Sequence, residues 1–226
     1  MAAEVLERGA ARTAPGLRIT EIFFSLQGET RTVGWPTVFV RLTGCPLRCH
    51  YCDTAYAFRG GRWMALEGVL QEVAGYRPRY VTVTGGEPLA QRACRPLLEG
   101  LCDAGYEVSL ETSGALPVTS LDPRVVKVLD LKTPGSGECH RNRYANLTLL
   151  TEQDHVKFVL CDRGDYEWAR GQVEYHRLAG RCEVLFSPSH GALAPGLLAD
   201  WILADRLPVR LQIQLHKYLW GDVPGR

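Results

Sequence analysis

The run Val38-Phe39-Val40-Arg41-Leu42-Thr43-Gly44-Cys45-Pro46-Leu47-Arg48-Cys49-His50-Tyr51-Cys52-Asp53-Thr54 carries an apolar segment straight into a loop with three cysteines. Val38 to Leu42 reads as a buried strand, and Thr43-Gly44 ends it. The thiols, spaced C-x3-C-x2-C, therefore share one loop at a strand's C-terminal end. Downstream the pattern alternates. The segments Tyr80 to Thr84, Glu107 to Glu111, Val125 to Leu131, His155 to Leu160, Cys182 to Phe186 and Val209 to Leu215 read as strands. Leu66, Val69, Leu70 and Val73 recur at helical spacing between Trp63 and Tyr76. Further helices are expected over Cys94 to Ala104, from an N-cap near Asp165, and over Pro195 to Arg206. About six strands separated by helices imply right-handed βαβ units, hence an α/β fold with a parallel sheet. Glycine and polar signals gather at the strand ends, where barrel-like and doubly wound sheets both bind ligands.

Three thiolates on so short a loop can wrap one inorganic core. Iron–sulfur clusters are usually held by four Cys thiolates. A cubane held by three keeps one iron open, and the amino and carboxylate groups of S-adenosylmethionine suit that iron. A structural Cys3His zinc site is the competing reading, with His50 inside the motif. Against it, His50 is wedged between Cys49 and Tyr51 and no second knuckle is visible. A redox pair, Cys49 with Cys52, would leave Cys45 unexplained. The turn Gly85-Gly86-Glu87-Pro88-Leu89 lies one strand after the cysteine loop, so both ends share one face of a parallel sheet. Its glycines would let a ligand approach bare backbone N–H groups. Upstream, Arg18 to Ser25 reads as a strand broken by Leu26-Gln27-Gly28-Glu29-Thr30, an ordinary turn or a polar grip on a heterocycle.

The chain has 226 residues, with Lys+Arg 26 against Asp+Glu 25 and a formal net charge of +1. This is enough for one domain with a full core. The near-balance, with no run of Lys and Arg, argues against a nucleic-acid surface. No segment approaches the roughly 18 apolar residues of a membrane span. Met1 to Gly16 carries Glu4, Glu7, Arg8 and Arg12 and has no apolar core of a signal peptide. A cytoplasmic protein with reduced thiols is expected, its residues 1–17 a mobile tail and 18–226 one catalytic domain. Cys94, Cys102, Cys139, Cys161 and Cys182 lack ligand spacing and read as small buried hydrophobes, with Cys139-His140 the pair most open to another use.

With the cysteine loop, the Gly85-Gly86-Glu87-Pro88 turn and the alternation in view, the chain resembles the radical S-adenosylmethionine enzymes. Within them it is similar to the 7-carboxy-7-deazaguanine synthase family of queuosine and 7-deazapurine biosynthesis. Glu21 to Glu29, Phe39 to Leu42, Cys52 to Thr54, Thr84 to Pro88 and Gln214-Leu215-His216-Lys217 carry that closer likeness. The resemblance implies a single-domain, modified partial TIM-type barrel. It implies a carbon–nitrogen lyase that turns 6-carboxy-5,6,7,8-tetrahydropterin into 7-carboxy-7-deazaguanine with loss of ammonia. In that family S-adenosylmethionine is a regenerated cofactor, beside a [4Fe-4S] cluster and Mg2+; an external flavodoxin-like electron donor and a homodimer are expected.

Carried over by position, the resemblance gives Cys45, Cys49 and Cys52 to the cluster and the Thr54 hydroxyl to Mg2+. Tyr51, Cys52, Asp53, Gly86, Lys132, Thr133, Pro134, Ser187, Pro188, Ser189 and His190 would meet S-adenosylmethionine. Leu26, Gln27, Gly28, Arg41, Thr84 and His216 would hold the pterin, with no side chain as catalytic acid or base. Each has a plainer alternative: a turn hydroxyl for Thr54, a salt bridge with Glu29 or Glu87 for Arg41, a structural histidine for His216. The chain departs from the family by running on through Trp220-Gly221-Asp222 and by showing Gly135-Ser136-Gly137-Glu138-Cys139 after Pro134. A glycyl-radical activating enzyme shares the cysteine spacing, but the Leu26 to Glu29 turn and the Gln214 to Lys217 ending speak against it. A zinc-stabilised binding module without catalysis is the alternative of another class.

Overall fold

The strand that leads into the cysteine loop, Pro36–Leu42 (β2), lies third from one edge of a nine-stranded sheet in a computed structural model that describes residues 16–223 and 225. Its neighbours in chain order are Gly16–Leu26 (β1), Arg62–Ala65 (β3), Tyr80–Gly85 (β4) and Glu107–Thr112 (β5). Val126–Asp130 (β6), His155–Leu160 (β7), Glu183–Pro188 (β8) and Arg210–Leu211 (β9) complete the sheet, in the order β3-β1-β2-β4-β5-β6-β7-β8-β9. From β2 to β9 every pairing is parallel. The sheet stays open, a partial barrel with edges at β3 and β9. Helices Leu66–Gly75 (α1), Cys94–Asp103 (α2), Arg163–Tyr175 (α3) and Pro195–Ala204 (α4) form where the periodicity places them, and Leu215–Trp220 (α5) follows β9.

Strand β1 is antiparallel to both β2 and β3. The connection from β1 to β2, residues 27–35, is a hairpin and too short for the dozen or so residues a parallel crossover needs. Leu26 therefore pairs with Pro36, at the far end of β2 from the cysteines. Gln27 to Glu29 enters the barrel from below rather than from the cysteine end. Gly16 and Leu17, expected in the tail, belong to β1, where Leu17 is fully buried; residues 1–15 lie outside the described residues.

Three further details shape the site. The crossovers from β5 to β6 and from β6 to β7 contain no α-helix among the described residues; the second folds into short 3-10 turns at Pro134–Ser136, Cys139–Arg141 and Tyr144–Leu149. The α3 N-cap is Asp162, whose Oδ1 accepts from the Asp165 N–H at 2.9 Å. Asp165 points inward instead, accepting from Thr133 Oγ1, the Gly135 N–H and the Cys161 N–H, and so pins the turn after β6. The strand expected to reach Leu215 stops at Leu211, because the Leu215 N–H is drawn to the Gly28 carbonyl at 3.0 Å.

Strand alternation separates two faces. Val38, Val40, Val81, Val83, Val156 and Phe158 pack outward into one core with Val69, Val73 and Leu97 of the helices. Burying a side chain such as Phe158 contributes roughly 1.5–3 kcal/mol. The intervening residues, among them Arg41, Thr84, Glu111, Asp130 and Lys157, face inward and make the concave face polar. Cys94, Cys102 and Cys182 are buried as expected, while Cys139 and Cys161 are only half-buried.

Candidate active site

The cysteine loop is held by backbone bonds from several elements. The Gly44 N–H bonds the Ala57 carbonyl, and the His50 N–H bonds the Ser136 carbonyl in the turn after β6. Below it sits the Gly85-Gly86 turn, so close that a Cβ on Gly86 would lie 2.2 Å from the Gly44 oxygen and 2.9 Å from Cys45 Cβ. This proximity requires the glycine. The Gly86 N–H is already bonded to the Leu42 carbonyl at 3.1 Å, so the bare-amide ligand site expected there does not form. What Gly86 can offer an amino group is its carbonyl. Glu87 is fully buried and accepts from Thr112 Oγ1, the Ser113 N–H and hydroxyl, and the Leu89 N–H. It clamps the end of β4 to the end of β5.

One cavity of about 320 Å³ lies over these strand ends, and Cys45, Cys49 and Cys52 all line it. None is in a disulfide. Burial pushes all three thiols up, Cys49 to about 11. Metal ligation overcomes such a bias and deprotonates a coordinating thiol. No group of three or more His, Cys, Asp or Glu side chains among the described residues is arranged around a single ion. Three thiols lining one cavity suit a cluster, in which each cysteine meets its own iron.

The pterin set lines the same cavity: Leu26, Gln27, Gly28, Arg41, Thr84 and His216. Gln27 is buried and its Nε2 donates to Thr82 Oγ1 at 3.0 Å, fixing the turn to β4. Gly28 leaves room for His216, since a Cβ there would fall 2.2 Å from His216 Nδ1. Arg41 Nε binds Glu21 Oε1 at 2.7 Å, and the Tyr56 hydroxyl donates to the same oxygen. The ion-pair partner is thus Glu21, neither Glu29 nor Glu87. Burial pushes His216 down, which keeps its imidazole neutral near pH 7.

Of the residues matched to S-adenosylmethionine, Tyr51, Cys52, Asp53, Gly86, Lys132, Ser189 and His190 line the cavity. Thr133, Pro134, Ser187 and Pro188 stand outside its lining; the Thr133 hydroxyl is spent on Asp165 and the Val159 carbonyl. The Tyr51 hydroxyl is buried without a hydrogen-bond partner. Thr54 lines the cavity and donates to Asp53 Oδ1 at 2.9 Å. Asp53 also accepts from Gln214 Nε2 at 3.1 Å and lies 3.4 Å from Lys217 Nζ. Burial would raise its carboxyl, but Lys217 and these hydrogen bonds hold it below the usual range.

A charged floor connects the two halves. Lys157 Nζ stands 2.6 Å from Glu29 Oε2 and 3.6 Å from Asp130 Oδ2, and Asp130 also pairs with Lys132 at 3.1 Å. Burial works against the Lys157 ammonium, yet Glu29, Asp130 and Glu111 outweigh it and hold it charged. Gln214 Nε2 donates to Glu29 Oε1 at 2.9 Å as well as to Asp53, tying the turn below to the loop above. Glu111 accepts from Thr84 at 3.0 Å, and burial raises its carboxyl despite Lys157. The sequence reading passed over Lys157, Asp130 and Glu111, although each is a charge in a strand-like run, the same signal that singles out Arg41.

An open, mostly parallel α/β sheet with three cysteines on the loop after its first parallel strand defines a radical S-adenosylmethionine protein, and the Radical SAM superfamily profile matches residues 39–131. That class carries a [4Fe-4S] cluster and S-adenosylmethionine. The chain belongs to the 7-carboxy-7-deazaguanine synthase family. It is 47% identical over 212 residues to the 7-carboxy-7-deazaguanine synthase of Chlorobaculum tepidum, covering 92% of this chain and 96% of that one. To the enzyme of Koribacter versatilis it is 45% identical over 219 residues, covering 90% and 97%. The crystal structure of QueE from Escherichia coli superposes with a TM-score of 0.73 at 25% identity, over 89% of this chain and 95% of that one. No helix among the described residues is long and apolar enough to cross a membrane.

Proposed function

We propose that this chain converts 6-carboxy-5,6,7,8-tetrahydropterin to 7-carboxy-7-deazaguanine with loss of ammonia, and that S-adenosylmethionine serves there as a regenerated cofactor. The observation that carries this reading is the single cavity, lined both by the cysteines of the C-x3-C-x2-C loop and by Gln27, Gly28, Arg41, Thr84 and His216. Cluster and S-adenosylmethionine would supply hydrogen-atom abstraction by a carbon radical, which is the cofactors' own chemistry. The protein's share is position and exclusion of water. With Nε pinned on Glu21, Arg41 can turn its terminal nitrogens to the substrate carboxylate. Neutral His216 offers one donor and one acceptor to the pterin ring. Tyr51, Lys132, Ser189 and His190 line the same cavity and would meet the nucleoside.

Mg2+ belongs at Thr54 in this reading. A threonine hydroxyl that gives its proton to Asp53 keeps its oxygen lone pairs free for a hard cation. With no cluster of acids around it among the described residues, the ion would take most of its ligands from the pterin carboxylate and carbonyl and from water.

The test is anaerobic turnover of the reconstituted, reduced protein with S-adenosylmethionine, Mg2+ and the carboxytetrahydropterin, with product identified by mass. The deazaguanine should appear with the native chain and vanish in Cys49→Ala, whose iron content falls. Slow release of deoxyadenosine and methionine without the deazaguanine would refute this substrate and bring the glycyl-radical reading forward.

A further inference from the structure

Arg41 is held by a feature of β1 that regular alternation would not produce. Ile19 and Ile22 both pack into the outer core, although residues three apart on a regular strand face opposite ways. The pairing with β2 gives the reason: Ile19 lies opposite Leu42 and Glu21 opposite Arg41, so Thr20 is one residue more than the partner strand holds. Such a bulge re-aims the side chains around it. Here it turns Glu21 from the core onto Arg41, whose Nε donates to Glu21 Oε1 at 2.7 Å, while the Thr20 and Thr43 hydroxyls meet at 2.8 Å. The same Glu21 oxygen accepts a second bond, from the Tyr56 hydroxyl at 2.8 Å. Tyr56 belongs to the short turn Ala55–Phe58, directly after Thr54. The Ala57 N–H on the Thr54 carbonyl at 2.9 Å, the Gly44 N–H on the Ala57 carbonyl at 2.8 Å and the fully buried Ala57 side chain anchor that turn. The rings of Tyr56 and Phe23 lie 5.9 and 5.8 Å from the guanidinium carbon. Burial pushes the Tyr56 hydroxyl up to about 12, so it remains a donor across the neutral range. Arg41 lines the cavity, whereas Glu21 and Tyr56 do not.

We propose that Tyr56 is a positioning residue for a carboxylate-bearing substrate, acting through Glu21 to aim Arg41. The proposal rests on the reading of Arg41 made under the proposed function and adds what sets its direction. Arginine and glutamate are both long, rotamer-rich side chains, and a pair bound only to each other can swing together. A hydroxyl delivered from an anchored turn fixes the shared oxygen. The guanidinium then keeps its Nε edge on Glu21, and its terminal nitrogens are held ready for the two oxygens of a carboxylate. Less rotamer freedom is lost when such a ligand binds. Because Tyr56 is two residues beyond Thr54, one turn sets both the arginine for the carboxylate and the hydroxyl assigned to Mg2+. The arrangement selects pterins with an anionic 6-substituent over those with a neutral one.

The test is anaerobic calorimetry on cluster-loaded, unreduced protein with S-adenosylmethionine and Mg2+ present, so that ligand binds without turnover. Two ligands are compared, 6-carboxy-5,6,7,8-tetrahydropterin and 6-hydroxymethyl-5,6,7,8-tetrahydropterin, which has no carboxylate. Tyr56→Phe keeps the ring beside Arg41 and removes only the hydroxyl. It should weaken the carboxylate ligand about three- to tenfold and the hydroxymethyl ligand by less than about twofold, with iron content and S-adenosylmethionine affinity unchanged. Glu21→Ala should weaken the carboxylate ligand at least as much. Tyr56→Phe/Glu21→Ala should be no worse than Glu21→Ala alone, because the hydroxyl acts only through that carboxylate. Equal weakening of both ligands by Tyr56→Phe would make Tyr56 a general support of the cavity and overturn the proposal. So would additive losses in the double variant, or a carboxylate preference that Tyr56→Phe leaves unchanged. If the native chain itself binds the two pterins alike, the reading of Arg41 as a carboxylate partner fails, and the proposal with it.

Discussion

Arg41 stands in a strand of apolar residues with its Nε on Glu21, Phe23 and Tyr56 flanking its guanidinium. If it holds the substrate carboxylate, Arg41→Ala should raise the pterin KM about tenfold or more, the scale of roughly 1.5–3 kcal/mol for a charged hydrogen bond. Steady-state kinetics at saturating S-adenosylmethionine would show it; an unchanged KM would leave Arg41 a structural partner of Glu21. Thr54→Ala removes the hydroxyl that Asp53 orients, so a Mg2+ titration of activity should shift to higher concentration, whereas an identical curve would take the ion elsewhere. Arg41 was legible in the sequence because a lone charge in an apolar run needs a partner. Its partner was not, since Glu21 sits in a strand whose antiparallel pairing sets the two opposite each other.

At the scale of elements, the loop after β2 and the turn after β4 were legible from sequence because parallel strands must end on one face. The direction of β1 was not read, and with it the way Gln27 to Glu29 rises into the barrel from the opposite end. Only the short connection to β2 encodes that reversal. The turn then meets α5, where the Leu215 N–H bonds the Gly28 carbonyl and His216 fills the space a side chain at Gly28 would need. Gly28→Ala should therefore push His216 off its place, costing about 1–3 kcal/mol of stability. The pterin KM should rise while S-adenosylmethionine binding, measured by calorimetry, stays near native. Loss of both affinities together would mean that the turn supports the whole cavity rather than its substrate side. Lys157 and Asp130 escaped notice for a related reason: their strands read as continuous buried runs, and only the alternation of faces shows every second residue turned to the cavity.

Over the whole molecule, the polar concave face is a product of the fold, invisible to a net charge of +1. So is His155, buried at the start of β7 with neither ring nitrogen hydrogen-bonded. Burial, reinforced by Arg31 and Arg210, lowers it from 6.5 to about 4. Between those values the unfolded chain binds a proton that the folded chain refuses. Stability linked to this group is therefore full above about pH 6.5 and is lost as pH falls toward 4, by at most about 3.5 kcal/mol. Urea unfolding of the native chain should weaken between pH 7 and 5, and His155→Gln should flatten part of that slope. A slope unaffected by the substitution would assign the acid sensitivity to other groups.

The proposal that cofactor and pterin share one cavity, so that the radical would return to its source, is tested most directly by counting products. In anaerobic turnover with carboxytetrahydropterin, deazaguanine, deoxyadenosine and methionine are quantified together from one reaction. Deazaguanine in many-fold excess over both cleavage products is the expected result. One deoxyadenosine and one methionine for every deazaguanine would contradict a regenerated cofactor.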